Sequence, residues 1–284
     1  MMISNKISSI TEDKRGLKHK EEMKAVEDTP TRVLDRMIEG NIDASTSEEQ
    51  IIDSQTSLAK TQVRFSEALR EHYQYDTSIK RGQKFLLKHV SSKMSLVIIY
   101  IDIVESTNLS MTLPAEKLVT IIRAFSHEMS AVTKSYNGYV LKYVGDAIIV
   151  FFPSGFNKYL TYDNAVRCAR SMMKVLKNGI NPVLNSDDFA QLRIKIGMAE
   201  GENVVVQYGY DRSSQIDLIG YGMNMAAKIT SLTAPNKISV GENIYEMLHP
   251  KIQSDFEELT NLYQDGWKYI NHKTGKVYKV YTLK

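Results

Sequence analysis

The stretch Leu96-Val-Ile-Ile-Tyr-Ile-Asp-Ile-Val104 constrains this chain more than any other. Every residue in it except Asp102 is aliphatic or aromatic. A strand with one wet face alternates apolar and polar residues, whereas an unbroken apolar run belongs to a strand covered on both faces. The run is also far short of the roughly 18 apolar residues that a membrane span needs. The fold must therefore place layers on both sides of a central strand. A lone carboxylate in such a strand is costly to bury. Asp102 is thus expected to have a metal, a cation or hydrogen-bond donors beside it.

The pattern around this strand is mixed. Leu118, Ile121, Ile122, Phe125, Met129 and Val132 have the spacing of one buried helical stripe, with Pro114 near its first turn. Tyr139–Val144 and Ala147–Phe152 read as two strands joined by Gly145-Asp146, a good two-residue hairpin connection. A helix is expected over Tyr159–Leu176. Strands follow at Leu192–Met198, Val204–Tyr208, Gln215–Ile219 and Lys237–Val240. Helices are expected at Met223–Leu232 and Glu242–Leu248, and a last hairpin over Gly266–Leu283 turning at Lys273-Thr-Gly275. Strands and helices alternate, but hairpins interrupt them. That pattern predicts an α+β sandwich on a mixed or antiparallel sheet, and argues against a doubly wound fold.

The dense pattern begins only near residue 91. Residues 1–45 are rich in charge and poor in large apolar side chains, and are expected to be a disordered extension. Residues 46–90 read as a helical linker, with Ile51, Leu58 and Phe65 recurring every seven residues. That recurrence fits a short coiled coil or a helix docked on a surface. The net charge of +3 gives no field for nucleic acid, and the single Cys168 allows no internal disulfide. With no span and no secretory leader in view, a soluble, cytoplasmic protein is expected.

Few residues carry chemistry. Asp102 and Asp146 are oxygen donors of the kind that suits Mg²⁺ or Mn²⁺, and two carboxylates can hold a metal pair for attack at phosphorus. Taken singly, each also fits a loop cap or a Gly-Asp turn. The loop Glu105–Ser110, with Thr107, joins the strand to a helix and could offer backbone N–H groups to phosphate. Asn224 and Lys228 are four apart and share one helix face, suited to a ribose and a phosphate, or simply to solvent.

Three motifs in order carry a resemblance. They are Ile101-Asp-Ile-Val-Glu-Ser-Thr107, Lys142-Tyr-Val-Gly-Asp146 and Asp217-Leu-Ile-Gly-Tyr-Gly-Met-Asn-Met-Ala-Ala-Lys228. From Leu96 to Leu248 the chain resembles the class III adenylate and guanylate cyclase catalytic domain. The resemblance implies that family's ferredoxin-like α+β fold over residues 91–284. It implies two metals, Mg²⁺ or Mn²⁺, on Asp102, Asp146 and the carbonyl of Ile103. It implies a base-selecting pair in Lys142 and Asp217, and a ribose contact in Asn224. A lysine that can donate and a carboxylate that can accept match the ring N1 and 6-amino group of adenine. ATP is therefore the expected substrate, giving cyclic AMP and pyrophosphate. Thr107 and, near the C-terminus, Lys268 are counted as further substrate contacts.

In this family the metal aspartates come from one chain and the base, ribose and transition-state residues from the other. A chain with both sets implies a homodimer with shared sites, possible control by an upstream regulatory protein, and no nucleic-acid partner. Lys228 departs from the pattern, because the family carries Arg there. Lysine supplies charge without the planar fork, unless a neighbour such as Arg212 assists. Lys228 favours one alternative, a weakly active or inactive nucleotide-binding regulatory module with the cyclase fold; a guanylate cyclase is a separate one.

Overall fold

The computed structural model describes residues 54–70, 79–155, 157–209, 214–260, 267–271 and 274–284. The expectations for residues 1–45, for 46–53 (with Ile51) and 71–78 of the linker, for Arg212, and for Gly266 and Lys273 of the last hairpin lie outside the described residues. From Ser54 to Lys284 the chain forms one compact unit.

Helices α1 (Ser54–Arg70) and α2 (Ile79–Leu87) precede the central strand β1 (Lys93–Ile103). Next come α3 (Ser106–Thr112), α4 (Ala115–Ser135), β2 (Tyr139–Val144), β3 (Ala147–Pro153) and α5 (Lys158–Val175). A π-helical turn (Leu176–Ile180) leads into α6 (Asn181–Ser186) and the long strand β4 (Ile194–Tyr208). The remainder is β5 (Gln215–Gly220), α7 (Tyr221–Leu232), β6 (Ile238–Gly241), α8 (Glu242–Tyr245), α9 (Pro250–Gln253), β7 (Phe256–Glu258) and β8 (Val280–Leu283).

The strands form one sheet in the order β2-β3-β1-β4-β6-β8-β7, with β5 on the far part of β4. All pairings are antiparallel except β4 with β6. β1 lies between β3 and β4, with Ile99 opposite Val150 on one side and Met198 on the other. Leu96, Val97, Ile98 and Ile99 are fully buried, as a strand covered on both faces requires. Val97, Ile99, Ile101 and Ile103 join a core with residues of α1, α4, α5 and α6. Leu96 and Ile98 join a second core with Leu86 of α2 and Met223, Ala226 and Ile229 of α7. The α+β sandwich on a mixed sheet is thus what the chain adopts.

Gly197 shows how close α7 comes to the sheet. A Cβ there would lie 2.4 Å from the backbone nitrogen of Thr230. Asn203, fully buried, fixes the other end of that contact: its Oδ1 accepts from the Met223 N–H at 3.1 Å and its Nδ2 donates to the Gly201 carbonyl. This amide caps the start of α7 and sets which face the helix turns outward.

Some expectations are corrected. The expected loop Glu105–Ser110 is mostly helical, in α3. Its hydroxyls bond back to helical carbonyls, Ser110 to Thr107 and Thr112 to Asn108, so a loop-like composition is compatible with a helix. The two expected strands at Leu192–Met198 and Val204–Tyr208 are one strand. The acidic stretch between them, Glu200–Asn203, pairs with Met94–Val97 of β1, and Ser95 Oγ donates to Glu200. Of the last hairpin, the described residues show Gly275 at φ +67° and the Ile270–Val277 bridge, but β8 leaves it to pair with β6 and β7. In α1, Phe65 is 1% exposed and Leu58 packs beside it in the first core, so this stripe is turned into the domain.

Candidate active site

Asp102 is the penultimate residue of β1 and, by alternation, shares a face with Leu96, Ile98 and Tyr100. Directly across the ladder stands Lys195 of β4, with Nζ 3.9 Å from Asp102 Oδ2. Asp146 follows Gly145 in the turn between β2 and β3, where Val144 pairs with Ala147. Gly145 has φ +61° and Asp146 has no positive φ, the pattern of a type II′ turn with glycine at its first central position. β3 pairs with β1, so the turn lies beside the end of β1 that carries Asp102. The Asp102 carboxyl is pushed above the usual range, first by burial and then by the charge of Asp146, while Lys195 pulls it down.

Two carboxylates therefore converge with one partly buried lysine. Asp146 Oδ2 is buried and has no hydrogen-bond partner among the described residues. An orphaned carboxylate oxygen beside a second carboxylate is what a divalent cation satisfies, and the donor set is the hard oxygen type that Mg²⁺ and Mn²⁺ prefer. No group of three or more His, Cys, Asp or Glu side chains suited to a metal occurs among the described residues. A backbone carbonyl such as that of Ile103 and the phosphates of a substrate would have to complete such a site.

A second pair lies on the same face. The ladder between β2 and β3 shifts register between Val140 and Lys142, so that Lys142 pairs with Ile149 and faces the second core's side of the sheet. A bulge re-aims a side chain without ending the strand. Here it turns Lys142 onto Asp217 of β5, and the two form an ion pair. Asp217 Oδ1 also accepts from the Leu218 N–H at 2.8 Å. Tyr100 completes the group: its phenol is pushed up by burial and by the nearby Asp217 charge.

The remaining expected residues are not drawn into this cluster. Asn224 and Lys228 are exposed on the outer face of α7, while Met223, Ala226 and Ile229 turn inward. Thr107 is exposed in the first turn of α3, and Lys268 is exposed next to the buried Trp267. Lys195 and Tyr100 stand beside Asp102 and Asp217 in this candidate site and were not among the residues expected from the sequence. Tyr100 was accessible from the alternation along β1, two positions before Asp102. Lys195 was not, because it depends on the register between β1 and β4.

The adenylate and guanylate cyclase catalytic domain family matches residues 89–283, and the chain belongs to it. A curated cytidylate cyclase from Escherichia coli is 27% identical over 57% of this chain, which spans 39% of that protein. A uridylate cyclase from Gulbenkiania mobilis is 30% identical over 63% of this chain and 74% of its own length. The crystal structure of the adenylyl cyclase CyaB from P. aeruginosa superposes with a TM-score of 0.57 at 22% identity, covering 68% of this chain and 95% of that one. The fold is that of the class III cyclase domains, and the chain is a nucleotide cyclase domain by family. No helix among the described residues is long and apolar enough to cross a membrane.

Proposed function

We propose that this domain converts ATP to cyclic AMP and pyrophosphate in a homodimer. The observation that carries the reading is the Lys142–Asp217 ion pair, which holds a donor and an acceptor side by side. In the free protein the two charges satisfy each other. Facing a base, the lysine donates to a ring nitrogen and the carboxylate accepts from an exocyclic amino group. Adenine offers that edge, whereas guanine offers the reverse.

Asp102, Asp146 and the Ile103 carbonyl would hold the divalent cations, which when bound lower the pKa of the ribose 3′-hydroxyl and neutralise phosphate charge. Lys195, beside Asp102, adds a cation toward the triphosphate, and Lys268 and Thr107 are the outlying candidates for further contacts. Asn224 would orient the ribose. Lys228 would take up the charge that develops at the α-phosphate as its bond to the departing pyrophosphate breaks. Both project away from their own sheet. A second copy, offering its Asp102 and Asp146 to that face, completes the site and explains why polar residues stand there in a pair.

A second reading is supported by chemistry and by a relative. Cytosine carries an amino group beside a ring nitrogen acceptor, the same edge as adenine, and the E. coli relative is named a cytidylate cyclase. Uracil carries the reverse edge, although the Gulbenkiania relative is named a uridylate cyclase. Incubation of the purified protein with each of ATP, CTP, GTP and UTP and Mn²⁺ tests the readings together. ATP turnover that is lost in Asp102→Ala supports the proposal. CTP turnover without ATP turnover moves the substrate to the second reading, and no product from any of the four defeats the catalytic reading.

A further inference from the structure

Lys142 and Asp146 belong to β2 and the turn after it, and the neighbour of Lys142 faces the opposite way. Tyr143 points into the first core, where its hydroxyl lies 2.7 Å from Ser130 Oγ on α4. Ser130, 2% exposed, gives its only proton to the Ser126 carbonyl at 2.6 Å. The phenol is therefore the donor in the Tyr143–Ser130 bond, and it pins β2 onto α4.

Two residues earlier on α4 is Glu128, a carboxylate 2% exposed. It is gripped from α1: Arg64 Nε lies 2.9 Å and Nη2 2.7 Å away, and Thr61 Oγ1 donates at 2.9 Å. The seat for α1 is shaped to fit. At Gly179 in the π-helical turn, a Cβ would approach Thr61 Cγ2 to 2.8 Å. A buried carboxylate held by a fork cannot be released cheaply, so α1 and α4 move together or not at all.

We propose that Tyr143 is a positioning residue for the Lys142–Asp146 segment, and that α1 acts on it through the Arg64–Glu128 clamp and α4. A displacement of α1 is thereby transmitted to the turn that carries Asp146, from the side of the sheet opposite the candidate site. The inference rests on the reading of Lys142 and Asp146 as site residues. It assigns the helix before the cyclase domain a defined mechanical input.

The test uses the full chain and two readouts. Hydrogen exchange of the β2–β3 hairpin, with β6 as the internal reference, needs no substrate. In Tyr143→Phe, hairpin exchange rises about fivefold while β6 is unchanged, and Arg64→Ala produces the same local rise from the far side of α4. The double variant exchanges less than the product of the single effects, because both act on one element. Cyclase kcat falls about tenfold in each single variant with KM for the nucleotide little changed, and Arg64→Lys restores part of the loss. If Arg64→Ala does not fold, Arg64→Ala combined with Glu128→Gln removes the ion pair without leaving a buried charge. Unchanged hairpin exchange, or an equal rise in β6, overturns the proposal. Wild-type protein with no cyclase activity defeats the site reading instead, and the exchange measurements still decide the coupling.

Discussion

Replacing Asp217 by Asn keeps the shape of the side chain and removes its charge, so it isolates the part of the site proposed to read the base. Two consequences follow. The first is structural. Lys142 loses an ion pair whose side chains are 30% and 13% exposed. That places the loss between a surface pair, worth at most about 1 kcal/mol, and a buried one, worth about 3–5 kcal/mol when one partner is removed. A cost of about 1–2 kcal/mol lowers the melting temperature by roughly 2–8 °C for a domain of this size. The second is functional. A carboxylate accepting from an exocyclic amino group contributes about 1.5–3 kcal/mol, and an amide in its place can rotate to donate. Discrimination between ATP and GTP, measured as the ratio of kcat/KM values, should therefore fall by about 10- to 150-fold. The assay is initial-rate cyclisation of both nucleotides with Mn²⁺, beside a thermal melt of the same preparations. A variant that melts lower but keeps the wild-type ATP-to-GTP ratio would show that the pair is structural and does not touch the base.

Adding Mn²⁺ at about 100 times its dissociation constant should stabilise the wild-type domain by about 2.7 kcal/mol, a rise of about 5–10 °C by calorimetry, and Asp146→Asn should lose most of that rise. Lys228→Arg should raise kcat by about 3- to 10-fold with little change in KM, since the planar fork meets developing phosphate charge better than an ammonium does. Tyr162 and Tyr221 are both pushed up to about 12, first by burial and then by nearby carboxylates (Glu200 at Tyr162, Glu242 and Glu200 at Tyr221). Both phenols hold their protons more tightly folded than unfolded, so their contribution is whole below about pH 10 and is lost as pH rises toward about 12. Circular dichroism should show alkaline unfolding in that window, and Tyr162→Phe should move it upward. Gly197→Ala should cost about 1–3 kcal/mol by denaturant titration, because the added methyl meets the backbone of α7.

The parts of the fold that were legible are those where a local pattern has one cheap solution. A strand-length, Ile/Val-rich run broken only by Asp102 reads as a strand covered on both faces, and Gly145-Asp146 between two apolar stretches reads as a tight turn. What was not legible depended on distant partners. Glu200 and Glu202 look like a break in β4 until β1 is known to pair there. Phe256–Glu258 is too short to announce itself, and becomes a strand only because β8 offers it an edge. The candidate site divides in the same way. Asp102, Asp146, Lys142 and Asp217 were found because motif order singles them out. Lys195 was invisible because its place opposite Asp102 is set by pairing register. The bulge between Val140 and Lys142, which aims the lysine, also leaves no mark in composition.

The outward face of α7 has a consequence beyond geometry. If Asn224 and Lys228 serve a second copy, each molecule carries half of two unfinished machines. The rate per molecule then falls on dilution and rises with copy number. A chain defective only at Asp102, mixed with one defective only at Lys228, should recover activity that neither has alone, because one of the two shared sites in the mixed pair is intact. Abundance itself becomes an input to the signal, alongside whatever moves α1.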